Sequence, residues 1–156
     1  MNYLTPDELR DTAEWLGRKP WHDLCLDVGS RRSYQELYDG ERLSTWLIHW
    51  GEEADTGFHD HDVSRAAVHV IRGRVREERL RIDGPPEVRE YGPGETFTIE
   101  SSEIHRVLHV GDGPALTVHA YSPPLTRMGS YLVEPTGALT RHAISCEDEL
   151  RPLEVN

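Results

Sequence analysis

His59 and His61 stand one residue apart in the run Gly57-Phe58-His59-Asp60-His61, and His105 follows in Glu103-Ile104-His105-Arg106-Val107. Residues i and i+2 of a strand project from the same face. The pair can therefore turn two imidazoles toward one cation, and a later strand can add a third. Neutral imidazole is a common ligand for divalent transition metals. Three such ligands leave coordination positions vacant for chemistry. A lone histidine in a strand is more often packed or solvated than ligating, so the weight rests on the set of three.

These side chains need strands to hold them, and the chain supplies many. Thr5-Pro6-Asp7-Glu8 reads as a helix start, with Thr5 as N-cap, Pro6 in the first turn and Glu8 placed for a capping box. Leu9, Ala13 and Leu16 recur at helical spacing until Gly17 and Pro20 end the pattern. Trp21, Leu24 and Leu26 suggest a second short helix, and Tyr34 to Tyr38 leads into the strands. From residue 43 the β-formers dominate: 43–50, 67–71, 75–82, 88–91, 96–99, 104–110 and 115–121. Turns are expected at Gly73, Asp83-Gly84-Pro85-Pro86, Gly92-Pro93-Gly94 and Gly111-Asp112-Gly113-Pro114. Pro123-Pro124 closes the last long strand, and 130–134 and 141–145 are read as edge strands. No internal repeat or low-complexity segment interrupts this order. The expected architecture is all-β, a jelly roll or barrel of short antiparallel strands with one or two N-terminal helices.

A chain of 156 residues suits one domain, 1–156, with a helical part at about 5–30, a barrel at about 34–125 and a C-terminal extension at 126–156. The last ten residues are charged and expected to be loose. The formal net charge of -11 argues against nucleic acid or an anionic membrane as partner. Met1-Asn2-Tyr3-Leu4-Thr5-Pro6-Asp7-Glu8 has neither the basic start nor the apolar run of a signal peptide. A cytoplasmic protein follows as the expectation, with Cys25 and Cys146 as reduced thiols. A monomer or weak homodimer fits the composition.

Gly57, His59, His61 and Gly73, then Pro93, Gly94 and His105, follow the two halves of the cupin signature. More specifically, Gly57-Phe58-His59-Asp60-His61, Ile71-Arg72-Gly73-Arg74-Val75-Arg76-Glu77-Glu78, His105-Arg106-Val107 and His119-Ala120-Tyr121-Ser122-Pro123-Pro124-Leu125 resemble the cysteine dioxygenase family. The resemblance spans roughly residues 30 to 125. It implies a cupin double-stranded β-helix and a thiol dioxygenase. Such an enzyme uses Fe(II), with nickel or another divalent metal also acceptable to the ligands, to add both atoms of O2 to a small thiol.

By that resemblance His59, His61 and His105 match the metal ligands. Most cupins add a glutamate five residues after the second histidine, where this chain has Ala66. Three neutral rings then leave the whole +2 charge available to an anionic thiolate. Animal relatives cross-link a cysteine at that same position to their tyrosine, and Ala66 forbids it. Thr117, His119 and Tyr121, at i, i+2 and i+4, match the family's Ser-His-Tyr trio, Tyr121 placing its phenol near substrate and His119 orienting it. The family's carboxylate-gripping arginine aligns with Glu36, which would instead attract an ammonium group. A slip of the alignment lets Arg32 or Gln35 take that place. Two substrate readings stay open: cysteine or a related aminothiol, and a non-standard sulfur compound. A non-oxygenase metal cupin is the alternative class. His22, His49, His69, His109 and His142 are not assigned as ligands, and Trp46 with Trp50 is read as core.

Overall fold

The computed structural model describes residues 2–21, 31–146 and 152–153. Among the described residues one helix, α1 (Pro6–Gly17), precedes eleven strands: β1 (Arg32–Asp39), β2 (Ser44–Trp50), β3 (His59–Asp60), β4 (Arg65–Arg72), β5 (Arg74–Arg81), β6 (Gly84–Tyr91), β7 (Thr96–Ile99), β8 (His105–Val110), β9 (Ala115–Ser122), β10 (Arg127–Val133) and β11 (Leu139–Ser145). They form two antiparallel sheets, ordered β1-β2-β9-β4-β7 and β11-β10-β3-β8-β5-β6. This is the jelly-roll arrangement of a cupin. Leu24, Leu26, Cys25 and His22 lie outside the described residues, as does most of the tail beyond 146. No described helix is long and apolar enough to cross a membrane.

Alternation along the strands builds the layers. In β9 the side chains of Ala115, Thr117, His119 and Tyr121 share the inward face, while Leu116, Val118 and Ala120 face outward; all eight residues are buried. Inward residues from both sheets, including Ile48, Trp50, Val68, Val75, Phe97 and Val107, make the main core. The outward face of the five-stranded sheet is covered by α1, where Leu9 and Ala13 meet Ala67 and Ala120. That helix begins as the sequence predicts: Thr5 accepts from the Glu8 amide at 3.2 Å while Glu8 accepts from the Thr5 amide at 2.9 Å. Being buried on both faces explains why the central strands read as near-continuous apolar runs.

Three elements differ from the sequence expectation. β6 begins at Gly84 and runs through Pro85 and Pro86, so the connecting turn is shorter than the Asp83–Pro86 span. A proline pair is tolerated because β6 is the last strand of its sheet and its register shifts there: Glu87 pairs with Arg79 and Gly84 with Arg81, so neither Pro85 nor Pro86 stands in a ladder pair. β10 is no edge strand: it pairs with β11 on one side and β3 on the other. β1 starts at Arg32, opposite Trp50 of β2.

Candidate metal centre

Loop 51–58 delivers the first two histidines to the interior. Asp55 accepts from the Gly57 amide at 2.9 Å, and its carboxylate takes both Nε and Nη2 of Arg106 on β8. Thr56 pairs with Val107 through its own amide and its side chain, at 3.0 and 2.9 Å. Pinned in this way, His59 lies directly opposite His105 in the sheet, and His61 follows on the same face. Ring centroids are 5.0 Å apart for His59–His61, 4.6 Å for His59–His105 and 5.0 Å for His61–His105. One nitrogen from each ring lies within 4.8 Å of the others, a group able to hold a metal ion.

The tautomers suit that task. The Nδ1 of His59 is 3.0 Å from the Gly57 carbonyl, so it carries the hydrogen and leaves Nε2 as a lone pair. The Nδ1 of His105 donates to Glu77 at 2.8 Å, and its Nε2 is buried with no hydrogen-bond partner among the described residues. A cation supplies what that nitrogen lacks. Burial, with the neighbouring rings, holds His59 and His61 well below the ordinary imidazole value, so both are neutral at pH 7, the form able to ligate a metal. The donor set therefore fits a divalent metal.

Glu77 was not singled out from the sequence. It is 2% exposed, and its second oxygen receives the Arg79 Nε at 2.8 Å. Arg79 reaches on to Glu103 at 2.6 Å. Burial alone would raise the Glu77 carboxyl, but His105 and Arg79 bring it below its usual value. The available signal was a carboxylate two residues after Val75, on the face where alternation expects an apolar group. Asp60, between the two ligands, was likewise unassigned, and it points away from the rings toward β10 and β11.

Facing the rings from the other sheet, Thr117, His119 and Tyr121 form a chain. Thr117 Oγ1 lies 2.8 Å from His119 Nε2, and His119 Nδ1 lies 3.2 Å from the Tyr121 hydroxyl. Trp50, read from the sequence as core, is the fixed end. Its indole nitrogen only donates, and it does so to Thr117 Oγ1 at 2.8 Å. The Thr117 hydroxyl then has its own hydrogen to give to His119 Nε2. That ring carries its proton on Nδ1 and donates to the Tyr121 oxygen, which leaves the phenol O–H directed elsewhere. Burial lowers His119 to about 3 and raises Tyr121, so both are neutral. Tyr121 stacks edgewise on His61, centroids 5.3 Å apart.

A cavity of about 20 Å³ lies between the three rings, His119, Tyr121, Trp50, Thr56, Val68, Val107 and Arg32. A mouth of about 40 Å³ adjoins it, sharing Arg32 and Tyr121 and bordered by Tyr34, Trp46, Leu125, Met128 and Cys146. Arg32 lies with its guanidinium 5.3 Å from the Trp50 ring centre. Glu36 is exposed, opposite Trp46, and borders neither space. Ala66 is buried, paired with Tyr121 across the sheet, and brings no polar atom to the site. His69 bonds Thr96 at 2.8 Å on the outer face, and His109 bonds the Gly113 carbonyl in the β8–β9 turn.

Residues 24–132 match the family model for cysteine dioxygenase type I. No curated protein sequence matches the chain. Among solved structures it is similar to KdgF from Halomonas sp., with 19% identity, TM-score 0.53 and coverage of 63% of this chain and 85% of that one. TT1209 from Thermus thermophilus aligns with 18% identity and TM-score 0.59 over 68% and 96%. The cupin domain of Schizosaccharomyces pombe Cnp3 aligns with 6% identity and TM-score 0.54 over 62% and 68%. At these identities the structures speak for the fold.

Proposed function

The chain belongs to the cysteine dioxygenase type I family, and we propose that it is an Fe(II)-dependent dioxygenase of a small thiol bearing a carboxylate, such as cysteine. The overall change would be R–S⁻ + O2 → R–SO2⁻, both oxygen atoms ending on the sulfur. Fe(II), held by His59, His61 and His105, supplies the activation of O2 and the redox chemistry. The observation that carries this reading is the convergence of three buried imidazoles on a cavity whose remaining wall holds a phenol and a guanidinium.

The chain's own residues have separable tasks. Arg32 offers a planar fork of donors to a carboxylate. Tyr121, its O–H left over by the hydrogen bond from His119, donates to whatever lies beside the rings. His119, Thr117 and Trp50 hold that phenol in one orientation. The cavity beside the rings has room for little more than one water-sized group, so the body of the substrate would lie in the adjoining mouth between Arg32 and Tyr121. The exposed position of Glu36 argues for the arginine reading and against an ammonium-seeking site.

The test is oxygen uptake by the Fe(II)-loaded protein with cysteine, 3-mercaptopropionate and cysteamine, followed by product mass. A gain of two oxygens on a carboxylated thiol is expected. Arg32→Gln should raise KM for that thiol about tenfold or more, since a charged hydrogen bond contributes about 1.5–3 kcal/mol, and Glu36→Arg should leave it unchanged. No oxygen uptake with any thiol would sink the proposal.

A further inference from the structure

We propose that the C-terminal hairpin of β10 and β11 clamps the metal-ligand strand, with Arg141 acting through Asp60 as a positioning residue that sets metal affinity. This rests on reading the three rings as a metal site. β3 contains two residues, and its pairing amounts to His59 opposite His105 on one side, and to Asp60 and His59 opposite Gly129 and Ser130 on the other. So short a ladder does little to stop the strand rolling about its axis, and a roll would swing both rings out of convergence.

Asp55 and Thr56 anchor the loop before β3, and Asp60 adds the restraint on the strand itself. Alternation turns Asp60 outward while His59 and His61 turn in, and it is nonetheless 8% exposed. Its Oδ1 accepts from the Asp62 amide at 2.9 Å, the Gly129 amide at 3.0 Å and Arg141 Nη2 at 3.1 Å. Its Oδ2 accepts from Arg141 Nε at 2.9 Å and from the Tyr131 hydroxyl. Five donors from its own loop, β10 and β11 thus converge on one carboxylate. The Arg141 contact is bidentate, which fixes an angle as well as a distance.

The close fit extends to the backbone. A Cβ on Gly129 would lie 2.1 Å from Arg141 Nε and 2.7 Å from Asp60 Oδ2, so only glycine lets the hairpin approach this far. Asp62, just past the second ligand, has φ 57°, and its amide is held by Asp60. The family match ends at residue 132, whereas Arg141 lies beyond it, so the clamp's guanidinium comes from outside the matched segment. The same hairpin carries Met128 and, just past its end, Cys146 to the mouth of the cavity.

The experiment titrates the full-length apo protein with Co(II) against a competing chelator, following the visible absorption of the bound ion, and melts each apo protein separately. Arg141→Met should bind Co(II) about 10–100-fold more weakly, the usual effect of removing a partner that orients a ligand, with only a small change in apo Tm. Arg141→Lys should recover part of the loss, because it keeps the charge without the fork. Tyr131→Phe should weaken binding less. Co(II) affinity of Arg141→Met within twofold of the parent, or an affinity loss seen only where the apo protein has melted, overturns the clamp. A parent protein that takes up no Co(II) overturns the metal site itself.

Discussion

His105 is held from behind by Glu77, and that single contact does two things. It keeps the imidazole hydrogen on Nδ1, so that Nε2 faces its partners as a lone pair, and it places a negative charge against the ring that strengthens it as a donor. Glu77 is itself kept ionised by Arg79, and Arg79 is shared with Glu103. Glu77→Gln keeps the shape but removes the charge. It should weaken Co(II) or Fe(II) affinity about 10–100-fold, read by chelator competition. Because Arg79 retains Glu103, the loss of fold stability should stay below the roughly 3–5 kcal/mol typical of stranding a buried ion. An affinity equal to the parent would mean that His105 keeps its tautomer without help.

At the scale of elements, strand periodicity carried most of what could be read. It predicts that His59 and His61 share a face and that Thr117, His119 and Tyr121 do likewise, while capping residues alone predict that α1 starts at Thr5, and the side chains lie so. It could not say which end of a strand reaches the cavity. Arg32, Tyr34 and Glu36 alternate onto one face, yet only the pairing register, Arg32 with Trp50 and Glu36 with Trp46, decides that Arg32 meets the rings and Glu36 meets solvent. Register depends on partners distant in sequence. The same holds for β10, expected at an edge, which pairs with β11 on one side and β3 on the other. Glycine was informative where geometry is local. Gly73 joins β4 to β5 at φ 75°, and a Cβ there would sit 2.6 Å from the Ala115 Cα and the Pro114 carbonyl. Gly73→Ala should therefore cost more than about 1 kcal/mol, seen as a lower Tm by circular dichroism, whereas Gly94→Ala meets no atom within 4 Å and bears only the strain of its own φ of 86°.

For the whole molecule, the interior between the sheets is a store of neutral imidazoles, and this governs how the apo protein responds to acid. Burial lowers His59, His61 and His119, the last to about 3, while an unfolded chain protonates each near its ordinary value of 6.5. Between those values the unfolded state binds more protons, so stability rises with pH. Their contribution is full above pH 6.5 and is lost as pH falls toward the folded-state values. His119 alone should cost about 1.4 kcal/mol for each pH unit below about 6.5, and His59 and His61 act with the same sign. Asp60, brought down to about 2 by Arg141 and Tyr131 against its burial, adds its loss only below its ordinary 3.8. Relief of the net charge of -11 works the other way, but it begins near the carboxylate pKa values, around pH 4. The two effects are therefore separated on the pH axis. The apo Tm should be nearly level from about pH 8 to 7 and lower by at least about 3 °C at about pH 5.5, with His119→Gln showing a shallower fall. A Tm that stays level over that whole range in the parent would mean that acid reaches these rings without unfolding the sheets, and that the cavity is wetter than its lining implies.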